Sequence, residues 1–237
     1  MKTSAITRII LYSVLAIVLL SILINGVADD MLIFDEYDTE VTQGNADFHA
    51  SSVSNLSIDW VAGNITVLTA DTDRILVEES GKISKEYTMA CEIDDDTLEI
   101  AYADDAVHFG FGSIPEKDLL ITVPKDWVCN ELELDVAGVA VNISNVAANS
   151  INCDGAGVQL SLDLLSNTQK IDIDGAGCEI RMTMPASAGY LAQMEGLGCD
   201  FDSNMNYSRD GDYYTSGNEN CKVYVDGAGC SLTIDLQ

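Results

Sequence analysis

An acidic residue recurs in the second half of this chain, each time directly before a corner of small residues. The five acids are Asp135, Asp154, Asp174, Glu195 and Asp226. If they stack in a column, one interpretation is a calcium-binding ladder, because Ca²⁺ prefers oxygen ligands. The other is structural: each side chain accepts backbone N–H groups of its own corner, as in an Asx-turn. The second explains why the acid always precedes the corner. We therefore expect no bound metal or cofactor, with calcium as the alternative.

Cysteine and valine exchange at the position that follows the corner. In chain order this position holds Val139, Val158, Cys178, Cys199 and Cys230. Exchange with valine favours buried thiols that act as small hydrophobic side chains. The spacing lacks the clustered Cys and His pattern of a metal site. A disulfide between neighbouring repeats stays open as an alternative.

The motifs of common enzyme classes are missing from the sequence. It contains no Gly-x-Ser-x-Gly, no His-Glu-x-x-His and no P-loop. Pairs of carboxylates do not discriminate in a chain with 39 acidic residues. We predict that the protein is not an enzyme and has no catalytic residues, with a glycan-active β-helix enzyme as a further alternative.

A polar insertion separates the fourth and fifth acids. It carries Tyr207, Tyr213 and Tyr214 among small polar residues, a composition typical of recognition surfaces. These tyrosines are the candidate partner-binding residues. The alternative is a solvated loop that only reconnects two repeats.

The elements that position these residues are internal repeats of about twenty residues. Apolar residues alternate before each acid, as at Ile171 and Ile173, and resume after the glycines at Cys178 and Ile180. A period of two predicts strands with one buried face, and the Gly-x-Gly between them predicts a bend. Each unit is therefore a strand, a tight corner and a second strand.

One unit cannot bury its own apolar face, whereas a stack of units can. We therefore predict an all-β solenoid over residues 51–237, with regular coils in 126–237. Residues 51–125 are predicted to form degenerate coils. The segment Leu56–Val67 has an acidic residue and a corner of small residues like those of the later units, with one extra residue. Further strands are predicted at Arg74–Glu79, Glu86–Cys91, Leu98–Tyr102 and Leu119–Val123.

Residues 9–28 are almost entirely apolar and long enough to span a bilayer as a helix. Lys2 and Arg8 precede this segment and all 39 acids follow it. The positive-inside rule then predicts a cytoplasmic N-terminus (1–8), a single transmembrane helix (9–28), an acidic linker (29–50) and an exported domain. A signal peptide cleaved after Ala28 is the alternative.

The overall charge limits the choice of partners. The chain has 11 Lys and Arg against 39 Asp and Glu, with a net charge of −28. Nucleic acid is therefore not an expected partner, because phosphates require basic side chains. An apolar content of 47% is enough for a buried core.

The motifs resemble a known family. An N-terminal apolar segment, the stretch Ile58–Val67, a strand ending at Val123-Pro124 and serial Asp-Gly-Ala-Gly corners are similar to the bacterial putative-adhesin family, also called the toastrack domain. The similarity covers about residues 50–237. It implies a right-handed, single-stranded β-helix on the outer side of a bacterial membrane. It implies no catalytic residues.

We therefore expect a membrane-anchored, extracytoplasmic β-solenoid that acts as an envelope scaffold, an adhesin or a stress-sensing domain. Its expected partners are the membrane and a protein or cell-surface ligand. A calcium-stabilised structural module is the alternative function. Because the chain ends inside its last predicted strand, at Gln237, we also expect two copies to pair end to end.

Overall fold

The computed structural model describes residues 42–81, 83, 85–103, 114–185 and 187–236. The predicted cytoplasmic N-terminus (1–8) and transmembrane helix (9–28) lie outside these residues, as does most of the linker (29–50). In the part of the chain that the structure describes, no helix is long and apolar enough to cross a bilayer.

The described chain is all-β, as the alternating pattern predicts. Two 3₁₀ turns, Ala50–Ser52 and Lys85–Tyr87, are its only helical elements within those ranges. The strands are, in chain order, β1 (Thr42–Gln43), β2 (Ala46–His49), β3 (Asn55–Ala70), β4 (Arg74–Gly81), β5 (Ala90–Asp94), β6 (Thr97–Ala101), β7 (Lys117–Pro124), β8 (Val128–Ser144), β9 (Ala147–Ala156), β10 (Gln159–Asp163), β11 (Lys170–Ala176), β12 (Glu179–Met184), β13 (Tyr190–Leu197), β14 (Asp200–Ser203), β15 (Ser208–Asp210), β16 (Tyr213–Ser216), β17 (Cys221–Ala228) and β18 (Ser231–Leu236).

Two-armed units, which we call rungs, stack side by side in one sheet. The first arm of a rung precedes its corner and the second arm follows it. In spatial order, rungs 1 to 7 of the described chain are β6 with β7, β3, β8, β9 with β10, β11 with β12, β17 with β18, and β13 with β14.

Neighbouring rungs are parallel and in register on both arms. On the first arm Ile151 lies opposite Ile171, and on the second arm Leu160 lies opposite Ile180. Like residues therefore form columns, as the repeat predicts. The inward columns of aliphatic side chains make one continuous core, in which Trp60 is fully buried.

The rungs do not follow chain order at either end. Rung 6, the last in the chain, lies between rungs 5 and 7, so that Asp226 pairs with both Asp174 and Glu195. Rung 2, the first in the chain, lies between rungs 1 and 3, so that Leu56 pairs with both Leu98 and Leu132. The last strand of the described chain, β18, is therefore an inner strand, paired with β12 on one side and β14 on the other.

A hairpin explains the order at the C-terminal end. β15 and β16 follow β14 directly, and β16 folds back antiparallel onto β13, with Tyr214 opposite Ala192. The ring of Tyr214 stacks on Phe201, with 4.1 Å between ring centroids. Because this hairpin covers the outer edge of β13, rung 7 must lie at the end of the stack. The last rung in the chain must therefore be inserted between rungs 5 and 7.

Antiparallel strands also cover the N-terminal end. β4 pairs antiparallel with β7, and β5 with β6. Within 51–125, where degenerate coils are predicted, β3, β6 and β7 pair in parallel with their neighbouring rungs, whereas β4 and β5 pair antiparallel. The strand predicted at Glu86–Cys91 begins later, at Ala90, after a 3₁₀ turn. An end rung has no further parallel neighbour, and an antiparallel strand can cover it with a short connection.

The two glycines of an Asp-Gly-Ala-Gly corner serve different purposes. Gly177 has φ +67 and open space around the position of a Cβ, so it provides the left-handed turn. Gly175 has no such φ, and a Cβ there would lie 2.3 Å from the Gly155 carbonyl oxygen. The extra residue inferred near Leu56–Val67 does not exist, because the pairing offset between β3 and β8 is the same before and after the corner. Ala62, with φ 62, takes the left-handed position instead.

A buried lysine joins the elements at the N-terminal end. The Lys117 ammonium lies 2.9 Å from Glu79 Oε2, and both side chains are almost completely inaccessible. It also donates to the Tyr87 and Tyr102 carbonyl oxygens, at 2.5 and 2.6 Å, and lies over the Trp60 ring. Burial lowers the pKa of Lys117, and its hydrogen bond to Glu79 counteracts this shift.

We expect Gly175→Ala to lower the free energy of unfolding by about 3 kcal/mol, because a backbone carbonyl of the next rung cannot move away from the new Cβ. Gly177→Ala should cost only about 1 kcal/mol, for its left-handed φ. Gly177→Asn is the matched control and should cost less still. Urea unfolding measures all three, and equal costs at positions 175 and 177 would contradict this account.

We expect Lys117→Met to lower the free energy of unfolding by about 3–5 kcal/mol, because it leaves the Glu79 carboxylate buried without its cation. Adding Glu79→Gln should recover much of this loss, since the amide oxygen can still accept the Met89 N–H. Urea unfolding of both single variants and the double variant gives the coupling. A double variant no more stable than Lys117→Met would refute the ion pair as the cause.

Candidate functional site

The predicted acids form one continuous column on the outward face of the first arm. Along rungs 2 to 7 the column holds Asp59, Asp135, Asp154, Asp174, Asp226 and Glu195. The sequence alone does not align the acid of the Leu56–Val67 unit, Asp59, with the other five, because an extra residue is predicted there. The register places Asp59 directly opposite Asp135.

Stacking raises the pKa of several of these carboxyl groups. Burial, followed by the charge of Asp135, raises the pKa of Asp59 to about 6. Burial and the neighbouring Asp154 raise the pKa of Asp135. The pKa of Asp174 is raised by burial and by Asp154 and Asp226 on either side. The ionised column therefore destabilises the fold at neutral pH.

A second outward column adds charge beside the first. Glu133 lies on rung 3 and Asp172 on rung 5 of this column. Burial and the surrounding carboxylates raise the pKa of Glu133. Lys170 pairs with Asp172 and offsets part of this charge. The outward face of the first arm is thus strongly acidic.

The Asx-turn interpretation does not fit Asp135, Asp154 or Asp174. Within the described residues, the side chains of Asp135, Asp154 and Asp174 accept no hydrogen bond from their corners. The corner N–H groups donate across rungs instead: Gly157 N–H donates to Ala176 and Gly177 N–H to Ala228, each at 2.8 Å. Because these corner N–H groups already donate to carbonyl oxygens of neighbouring rungs, they are not available for an Asx-turn.

The straight column of carboxylates is also a poor match for a calcium site. Parallel strands lie about 4.8 Å apart, so a straight column offers one ion at most two carboxylates, whereas Ca²⁺ takes six to eight oxygens. Within the described residues, no group of three His, Cys, Asp or Glu is close enough to hold a metal ion.

The cysteine column forms as predicted, but in spatial order Cys178, Cys230, Cys199. None of the seven cysteines forms a disulfide in the structure, and the six other than Cys199 are buried, where they pack as small hydrophobic side chains. Burial raises the pKa of Cys153 to about 12. A hydrogen bond between the thiols of Cys178 and Cys230 lowers the pKa of Cys178 and raises that of Cys230.

The structure divides the three candidate tyrosines. Tyr214 is buried and packs on Phe201, so it belongs to the end cap. Tyr207 contacts the same rings from the side and is 42% exposed. Tyr213 is 43% exposed on the outward side of the hairpin. Arg209 lies 5.0 Å from the centre of the Tyr214 ring. The hairpin thus presents two accessible tyrosines and one cation.

No protein-family model and no curated protein matches the chain. A putative cell adhesion protein from Clostridium sporogenes is similar in structure, with a TM-score of 0.64 at 14% identity, over 84% of this chain and 100% of that one. A putative adhesin from Bacteroides fragilis aligns over 82% of this chain and 97% of that one, at 10% identity and a TM-score of 0.33. The first likeness shows that this chain has the fold of a putative cell adhesion protein. The adhesin-type resemblance is thus confirmed for the fold.

We expect acidification from pH 7.5 to pH 5 to stabilise the protein. A carboxyl group whose pKa is higher in the folded than in the unfolded state favours folding most at a pH below its unfolded pKa. This contribution to stability is lost as the pH rises through the folded pKa, which is about 6 for Asp59. Asp59→Asn should raise the free energy of unfolding at pH 7.5 by about 1–2 kcal/mol. Asp210→Asn, in the exposed hairpin, is the control and should change little. A destabilised Asp59→Asn variant would contradict the repulsion.

We expect calcium to stabilise the protein no more than sodium chloride of equal ionic strength. Both salts screen the repulsion along the column, and the column does not surround an ion with ligands. Thermal unfolding of the full chain in each salt, followed by EGTA, makes the comparison. A calcium-specific rise in Tm that EGTA reverses would instead support a calcium-stabilised module.

Proposed function

We propose that the protein is a non-catalytic adhesion domain held on the outer side of a bacterial membrane. We further propose that its stacked rungs wind as a right-handed, single-stranded β-solenoid with coils of about twenty residues. The observation that carries the adhesive role is the shared fold with the putative cell adhesion protein from Clostridium sporogenes. In-register stacking supports the solenoid, because each rung repeats the arms and corner of its neighbour.

The hairpin β15–β16 is the proposed contact surface for a protein or cell-surface partner. It covers the edge of the terminal rung, and Tyr213 within it and Tyr207 directly before it expose large ring surfaces. Tyrosine offers contact area at a low cost in conformational entropy. Arg209 supplies one of the few cations of a chain with a net charge of −28. This end of the molecule is therefore best suited to contact another surface.

Sequence supports the proposed anchoring. The apolar segment 9–28 follows Lys2 and Arg8, and every acid lies beyond it. Under the positive-inside rule, the domain would be exported and the N-terminus would stay in the cytoplasm. End-to-end pairing of two copies is also a proposal. It would use the free edge of β14, because β18 is covered by rungs 5 and 7.

We expect the tyrosines of the hairpin to control adhesion. Beads coated with the full chain should adhere to bacterial cells, and Tyr207→Ala with Tyr213→Ala should reduce adhesion about ten-fold, the scale of losing two interface side chains. Tyr224→Ala, on the first arm, is the matched control and should adhere normally. Wild-type beads that adhere no better than uncoated beads would contradict the adhesive role.

We expect a C-terminal epitope tag to be digested by protease added to intact cells. Lys2→Glu with Arg8→Glu should reduce this exposure, because the change removes the charges that keep the N-terminus inside. Western blotting of membrane and soluble fractions measures both results. A wild-type tag that is protected until the cells are lysed would contradict the proposed orientation.

A further inference from the structure

We propose that the outward face of the second arm binds a neutral, linear glycan in a hollow that spans rungs 2 to 4. This goes beyond the proposed contact surface at the hairpin, because the hollow is a second surface on a different part of the stack. The hollow has a volume of about 630 Å³. It forms because Ala140 is the smallest side chain of its column and lies between the longer Asn64 and Gln159.

The lining of the hollow carries no net charge, because its two charged residues, Glu179 and Arg181, form an ion pair. Its central residues are Asn64, Thr66, Ala140, Asn142, Gln159 and Ser161. At the rung 5 border, Glu179 and Arg181 neutralise each other with 2.7 Å between their charged atoms. On the other side, Asp118 accepts a hydrogen bond from Asn64 at 2.6 Å. The opposite arm carries an acid at every rung of its column, so this patch differs sharply from the rest of the surface.

Hydrogen-bonding groups of the hollow are available to a ligand. Within the described chain, the side chains of Thr66, Gln159 and Ser161 make no hydrogen bond to protein. Asn142 accepts from Ser144 through its oxygen, which leaves its amide group as a donor. Amides and hydroxyls offer donors and acceptors together. Sugar hydroxyl groups do the same, so a sugar can pair with each of them.

Charge and spacing select a neutral polymer. A net charge of −28 repels uronic acids and phosphates. Cationic chains would instead collect on the acidic first arm. The rungs repeat these polar groups about every 4.8 Å across the hollow, which is close to the length of one sugar unit. A linear glycan that lies across the rungs can therefore use the same contacts at successive sugars.

Saturation-transfer NMR tests the proposal with the full chain in a zwitterionic, sugar-free detergent. The probes are chitohexaose and cellohexaose, with oligogalacturonate as the acidic comparison. We expect millimolar binding of at least one neutral probe and none of the acidic one. Ala140→Gln should abolish detectable binding because it fills the hollow, and Gln159→Ala should weaken binding about five-fold, the effect of one lost hydrogen bond. Thr233→Ala, on rung 6 of the same face, should bind normally.

Two results would overturn the proposal: no neutral probe binds at millimolar concentration, or Ala140→Gln binds as well as wild type. The adhesion of coated beads separates this failure from failure of the proposed function. Beads that adhere although no neutral probe binds would refute the hollow and leave adhesion intact. Binding of a neutral probe to the hollow by protein whose beads do not adhere would support the hollow and refute adhesion.

Discussion

A parallel strand at the end of a stack leaves its outer backbone groups and the edge of its core uncovered, and the rest of this structure depends on how that edge is closed. At one end β4 and β5 cover both arms of rung 1, and at the other β16 covers β13, the first arm of rung 7. Each cover is an antiparallel strand paired along the outer edge of the arm that it covers, and this pairing fixes the capped rung as the outermost. The first and last rungs in chain order, rungs 2 and 6, must therefore lie on the inner side of the capped rungs 1 and 7.

In-register stacking also determines how the two outward faces differ. On the first arm the register brings six acids into one column, and burial with mutual repulsion raises the pKa of Asp59, Asp135 and Asp174. On the second arm the same register groups uncharged amides and hydroxyls around Ala140. One backbone plan thus yields an acidic column on the first arm and a patch without net charge on the second.

Local features could be predicted from sequence, because a period of two and a repeated corner are local signals. The strands, the columns and the buried thiols follow from them. The order of the rungs could not, since Asp174 can pair equally well with Glu195 or Asp226 by local pattern. Nor could the role of Gly175, which depends on a carbonyl of another rung. The absence of Asx-turns at Asp135, Asp154 and Asp174 could not be predicted for the same reason, because the corner N–H groups bond to a neighbouring rung. The hollow at Ala140 depends on side-chain sizes in three rungs that the pattern treats as equivalent.

Hydrogen–deuterium exchange of the full chain, resolved by residue, tests the central claim that the last rung lies inside the stack. Amides exchange slowly where opening requires disruption of neighbours on both sides. The account predicts that β17 and β18 are among the slowest strands and exchange more slowly than β13 and β14. Earlier exchange of β17 and β18, as in a terminal rung that frays, would contradict the order of rungs and the closure at both ends.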